Sequence, residues 1–272
     1  MVAFGSSAPE AVLSIIASAS GSGDIALGNV VGSNIANIGL ILGITGLMCP
    51  IVAKFDTVKF ELWAMVGFSV LITLLAIDGE YSRLEGAVLG VLLIGFLYII
   101  YRSTQTEPEL EKADVKFERE ITGQGSRGRH LLLTILGLGG LISGARIFVI
   151  GAVELADILQ LPELIIGLVV VAIGTSLPEL SISVMAARKK ETELITSNII
   201  GSNIFNSLFV IGAAAGIAPL SVPGAMLGFE YLVMLLLSVV LLVTIRLRSS
   251  LGWRAAILLL TIYVGYTIVV LV

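Results

Sequence analysis

The chain has 272 residues, of which 57% are hydrophobic and 13% charged, with a mean hydropathy of +1.04, whereas a soluble globular domain carries about 25% charged residues. Water is therefore not its main solvent, and the net charge of -4, spread over loops, leaves no basic face for nucleic acid. The single cysteine, Cys49, excludes an internal disulfide and a cysteine-built metal site, and the single His130 stands among Arg127, Arg129 and loop glycines.

A bilayer core needs about 20 apolar residues per helix. In chain order the sequence predicts a shortened span over 1–19, then spans over 27–48, 58–77, 84–101, 131–153, 163–187, 195–217, 228–245 and 253–271. The first stretch lacks a basic leader and is interrupted by Pro9 and Glu10, so it reads as part of the fold and not as a cleaved signal. The one long hydrophilic segment, 102–130, mixes acidic and basic residues and divides the chain into halves at 1–101 and 131–272. Cytoplasmic loops hold an excess of Lys and Arg. Placing 102–130 in the cytoplasm brings fourteen of the sixteen basic residues to that side and leaves the C-terminus outside. Arg83 falls in an outer loop, and Arg146, inside a span, is read as snorkelling to the outer interface.

The most specific signal is an internal repeat. Val2-Ala3-Phe4-Gly5-Ser6-Ser7-Ala8-Pro9-Glu10 matches Val171-Ala172-Ile173-Gly174-Thr175-Ser176-Leu177-Pro178-Glu179, and 29–37 (NVVGSNIAN) matches 198–206 (NIIGSNIFN), both at an offset of 169. From Val2 to Gly43, 15 of 42 positions are identical without a gap, and the shared residues are Gly, Ser, Pro, Glu and Asn more than Leu and Val. By the loop charges the two copies cross the membrane in opposite directions. Inverted repeats with Gly/Pro-interrupted helices place a binding site near mid-membrane where the broken helices meet.

Glu10 and Glu179 are the acidic residues deep in apolar spans, where an ionised carboxylate costs several kcal/mol unless compensated. No Lys or Arg occupies the neighbouring turns, so a proton, a distant cation or a bound metal ion must compensate them. Pro9 and Pro178 lack an N–H and free carbonyls near Gly5 and Gly174. Ser6, Ser7, Thr175 and Ser176 precede each Glu by three or four residues and are expected on its helical face. Ser33 with Asn37, and Ser202 with Asn206, are likewise four apart. The set is hard oxygen without sulfur or imidazole, which suits Na⁺, Ca²⁺ or Mg²⁺. Small residues also let membrane helices approach closely, the reading given to Gly32, Gly201, Gly43 and Gly212. Gly21-Ser22-Gly23-Asp24 fits the Gly-x-Gly-Asp pattern of intramembrane proteases, but Asp24 falls in a loop and no Tyr-Asp partner exists. Ser7 and Ser176 lack a base, so nothing in the spans points to an enzyme.

At GSSAPE with GNVVGSNIAN, and at GTSLPE with SNIIGSNIFN, the chain resembles the cation/calcium exchanger superfamily, in its prokaryotic sodium/calcium exchanger-like branch. The resemblance runs over essentially the whole chain. It implies an all-α polytopic membrane protein of two inverted-topology repeats of about five helices each. It also implies a secondary antiporter exchanging Ca²⁺ for Na⁺, without a bound cofactor, whose partners are the lipid bilayer and small cations. Carried over motif by motif, it implies ion ligands at the carbonyls of Ala3 and Ala172, the side chains of Ser6, Thr175, Ser33 and Ser202, and the carboxylates of Glu10 and Glu179. Asn37 and Asn206 fill the remaining site positions, with Ser7 and Ser176 close by. Well-known members often carry Asp where Asn206 stands, so the Na⁺ stoichiometry, and whether H⁺ replaces Na⁺, stays open, as does a non-transporting role. The 40 residues before the second motif, 131–170, have no counterpart before the first. The first repeat is therefore expected to continue upstream or to be truncated. A prokaryotic plasma membrane is the expected location, and the sequence gives no oligomeric state.

Overall fold

The computed structural model describes residues 5–104 and 127–272; the central loop expected over 102–130 lies mostly outside the described residues. The described residues form helices joined by short turns. They are α1 (Ala8–Ala19), α2 (Gly23–Met48), α3 (Phe55–Leu75), α4 (Arg83–Thr104), α5 (Arg127–Leu159), α6 (Glu163–Thr175), α7 (Leu177–Lys189), α8 (Thr192–Ile217), α9 (Glu230–Arg248) and α10 (Trp253–Leu271). Seven stretches are long and apolar enough to span a bilayer, and α6 with α7, bent by 42° between them, makes an eighth. The shorter α1 completes the expected pattern of eight spans and one partial span.

Burial is inverted relative to a soluble protein. The repeat-bearing stretches Gly23–Met48 and Thr192–Ile217 are 83% and 78% buried, whereas Arg83–Arg102 and Trp253–Leu271, whose faces are Leu, Ile and Val, are 17% and 22% buried. When hydrocarbon is the solvent, association gains nothing from hiding Leu, and polar and small residues line the contacts instead. Gly32 shows how close the approach is: a Cβ there would lie 2.3 Å from the Leu168 carbonyl oxygen and 2.7 Å from the Ala172 Cβ. Gly43 faces Leu260 and Gly212 faces the Gly86 carbonyl in the same way, so the packing role expected of these three holds. Gly201 instead lines a cavity with Glu61 and Ser197.

The repeat extends further than the motifs. At the same offset of 169, Phe60, Glu61, Met65, Ser69 and Val70 on α3 recur as Phe229, just before α9, and Glu230, Met234, Ser238 and Val239 on it. Ser69 and Ser238 each donate to the carbonyl four residues earlier, at 2.8 Å in both cases. Four two-residue strands, β1 (Ile51–Val52), β2 (Glu80–Tyr81), β3 (Leu220–Ser221) and β4 (Ser250–Leu251), tie the turns of one half to those of the other, β1 pairing with β4 and β2 with β3. Thus the turn at each end of the molecule is built jointly by both repeats.

Candidate functional site

The site helices are not continuous. Asn37–Ile41 within α2 and Asn206–Val210 within α8 are single π-helical turns, each beginning at a site asparagine, and a third occupies Gly167–Val171 in α6. Such a turn inserts an extra residue into the helix and re-aims the side chains around it, a device frequent at functional sites. The break between Thr175 and Leu177 follows from Pro178, which offers no N–H to the carbonyl four residues back.

Glu10 and Glu179 are both fully buried. Each is held by the opposite repeat: the Ser7 hydroxyl donates to Glu179 Oε1 at 2.8 Å, and the Ser176 hydroxyl donates to Glu10 Oε1 at 3.1 Å. The sequence puts each serine on the face of its own glutamate; the bond it makes is to the glutamate of the other repeat. The chain breaks between the hydroxyls and the carboxylate, so helical spacing does not carry across, and the hydroxyls cross to the other half. Ser202 adds a bond to Glu179 Oε1 at 3.4 Å from within its own repeat. A hydrogen bond to a charged group contributes about 1.5–3 kcal/mol, so these contacts fix the carboxylates without neutralising them.

The second oxygens are left over. Glu10 Oε2, Glu179 Oε2, Asn37 Oδ1 and Asn206 Oδ1 are buried and accept no hydrogen bond, and the Asn206 amide nitrogen is also unpartnered. These four oxygens are two pairs related by the repeat. The only ion pair among the described residues joins Lys59 to Asp56, far along the sequence from either glutamate. Two buried carboxyls without a fixed basic partner are compensated either by a proton or by a bound cation.

The remaining expected residues gather here as well. Thr175 donates to Asn29 Oδ1 at 2.9 Å, and Ser6 donates to Asn198 Oδ1 at 3.2 Å. The Ser33 hydroxyl lies 3.5 Å from both the Ala172 carbonyl and Thr175 Oγ1. Asn37 donates to Asn203 Oδ1 at 2.9 Å, and Asn203 donates to the Asn34 carbonyl at 3.3 Å, stitching α2 to α8. Ala3 lies outside the described residues. Asn29 and Asn198, buried at the centre of this network, were not among the expected ligands. The signal for them was present, since both open the second repeated motif at the common offset. Among the described residues no three Asp, Glu, His or Cys side chains cluster, so the donor set is two carboxylates completed by neutral oxygens, suited to a hard cation.

The sequence profile described as "Sodium/calcium exchanger protein" matches residues 1–102 and 129–272. The chain belongs to this family. The putative antiporter CaxA of Alkalimonas amylolytica is 35% identical over 270 residues, covering 98% of this chain and 84% of that protein. The sodium/calcium exchanger MaX1 of Methanosarcina acetivorans is 31% identical, covering 99% and 86%. A solved structure of the sodium-calcium exchanger NCX_Mj superposes with a TM-score of 0.68 at 30% identity, covering 97% of this chain and 82% of that one. The family consists of membrane transporters, not enzymes. The chain is accordingly an integral membrane cation antiporter with the two-repeat all-α fold.

Proposed function

We propose that the protein exchanges Ca²⁺ for Na⁺ through one site near mid-membrane, formed where the two repeats meet. The observation that carries this reading is the quartet of unpartnered buried oxygens, two from glutamates and two from asparagines, arranged in repeat-related pairs. Two carboxylates balance one Ca²⁺, and Na⁺ competes for the same oxygens. Ser6, Ser33, Thr175, Ser202 and the Ala172 carbonyl complete the ligand set, with Ser7 and Ser176 holding the outer oxygens of the glutamates. The Ala3 carbonyl is assigned with Ala172 by the repeat.

Access alternates because the halves are equivalent in sequence but not in contacts. α5 packs chiefly on α1 and α6, and its Ile135–Leu159 stretch is 18% buried, so little protein contact opposes its sliding. The repeats, 1–101 and 131–272, flank a cytoplasmic segment at 102–130. The C-terminus then lies outside a prokaryotic plasma membrane.

The test is ⁴⁵Ca²⁺ uptake into proteoliposomes driven by an outward Na⁺ gradient, on the protein with whatever sequence precedes Met1 in its gene. The expected result is uptake that collapses with the Na⁺ gradient and is abolished by Glu179→Gln. Uptake indifferent to Na⁺ and driven by a pH gradient would overturn the Na⁺ coupling; absence of flux under every gradient would overturn transport.

A further inference from the structure

A pocket of about 480 Å³ lies at the turn between α9 and α10, lined by Thr244, Arg248, Trp253, Arg254, Ala255 and Leu258. The turn is rigidly built. β4 pairs with β1, and the Ala53 amide donates to the Ser249 carbonyl at 3.1 Å, which fixes the end of α9 against the start of α10 and brings Arg248 and Arg254 to one cavity. The Arg254 guanidinium stands 5.2 Å from the centre of the Trp253 ring. Neither arginine has a carboxylate partner among the described residues, and no acidic residue lines the pocket. Further along the outer face of α10 runs an apolar groove of about 460 Å³ lined by Ile257, Leu260, Val264 and Ile268 among others.

The internal repeat shows that this chemistry is not demanded by the fold. The corresponding turn in the first half is pinned the same way, by β2 on β3 and by the Val222 amide donating to the Gly79 carbonyl at 2.7 Å. Yet the positions equivalent to Thr244, Arg248, Trp253 and Arg254 there are Leu75, Gly79, Leu84 and Glu85. Glu85 is spent on its own helix start, accepting from the Ser82 amide and hydroxyl at 2.7 and 2.8 Å. The first-half turn does hold one guanidinium, Arg83, but it donates to the Ile217 carbonyl at 3.1 Å; one turn architecture thus carries a pair of guanidinium groups and an indole at one membrane face, and a single guanidinium without an indole at the other.

We propose that this pocket binds the headgroup phosphate of an anionic phospholipid, with an acyl chain lying in the groove on α10. The paired guanidinium groups match a phosphate. The exposed indole suits the boundary between headgroups and hydrocarbon, and the free N–H groups at the start of the 19-residue α10 add to the positive potential. A soluble phosphate would use the arginines but not the groove, so the lipid is the occupant assigned. The leaflet follows from the orientation proposed above; the binding chemistry does not depend on it.

The chain has two tryptophans, Trp63 and Trp253, so Trp63→Phe leaves Trp253 as the sole indole reporter. This variant is reconstituted in nanodiscs containing either phosphatidylglycerol or phosphatidylcholine with brominated acyl chains, diluted in unlabelled phosphatidylcholine. Bromine quenching of Trp253 is expected at roughly fivefold lower mole fraction of phosphatidylglycerol, from the ordinary contribution of basic groups at a membrane surface. Arg248→Gln with Arg254→Gln in the same background should abolish the difference while leaving Na⁺-driven Ca²⁺ uptake measurable, which certifies the fold. Equal quenching by both lipids, or a preference that survives the double substitution, would overturn the proposal. So would relief of the quenching by millimolar inorganic phosphate at constant ionic strength, which would assign the pocket to a soluble anion.

Discussion

Asn29 and Asn198 occupy the same place in the two repeats, and the difference in what they hold distinguishes the halves of the site. Each accepts a hydroxyl from the opposite repeat. Asn29 also donates to Ser14 Oγ at 2.9 Å and to the Glu10 carbonyl at 3.3 Å, locking α2 to α1. In the second half the Asn198 amide nitrogen and the Ser183 hydroxyl, equivalent to Ser14, are both buried and both unpartnered. The duplication therefore supplies matching ligands, while the contacts behind them are closed on one side and open on the other.

The sharpest way to break this comparison is to remove one charge from each half. If the proposed site is right, Glu10→Gln and Glu179→Gln should each lower Ca²⁺ uptake by at least about 100-fold, since removing one of two charges that jointly hold a buried ion costs about 3 kcal/mol or more. A large loss in one variant and none in the other would mean that one glutamate lies off the ion path. The asparagines sharpen the contrast further. Asn37→Asp replaces the donor to Asn203 Oδ1 with an acceptor and should cost about 1–3 kcal/mol in thermal stability of the detergent-solubilised protein. Asn206→Asp disturbs no hydrogen bond. Because it breaks no existing bond, it should cost less thermal stability than Asn37→Asp, measured side by side in the same detergent. Behind the ligands the expected effects are smaller. Asn29→Ala leaves Thr175 and Ser14 short of a partner and should cost about 2 kcal/mol, against about 1 kcal/mol for Asn198→Ala, which loses one bond. At the far end of the scale, Lys59→Ala breaks an ion pair between exposed side chains and should change stability by no more than about 0.5 kcal/mol.

Much of this was legible in the sequence. Apolar length located every span, because a bilayer imposes one number on all of them, and the Gly, Pro, Glu and Asn content of the repeat located the site helices. Helical spacing gave no sign of the bonding partners: at the break in each repeat, Ser7 and Ser176 reach across to the other repeat's glutamate. The π-helical turns beginning at Asn37 and Asn206 left no mark in periodicity, since they occur in stretches already rich in small and apolar residues. The two-residue strands are too short to alternate. Asn29 and Asn198 were visible in the repeat, but chemistry alone did not separate an asparagine that would hold an ion from one that would hold its ligands; only the hydrogen bonds did. The continuation of the repeat through Glu61 and Glu230 was also present in the sequence, diluted by Leu and Val exchanges that lipid-facing positions tolerate.

The most direct test of the central claim is anomalous diffraction from crystals grown in Na⁺ and soaked in Ca²⁺ or Sr²⁺. One divalent peak is expected between the two repeats, within about 2.3–2.6 Å of Glu10 Oε2 and Glu179 Oε2 together, and it should weaken as Na⁺ is raised. A site that stays empty at saturating Ca²⁺, or a peak bound to one glutamate while the other pairs with a fixed basic side chain, would contradict the account.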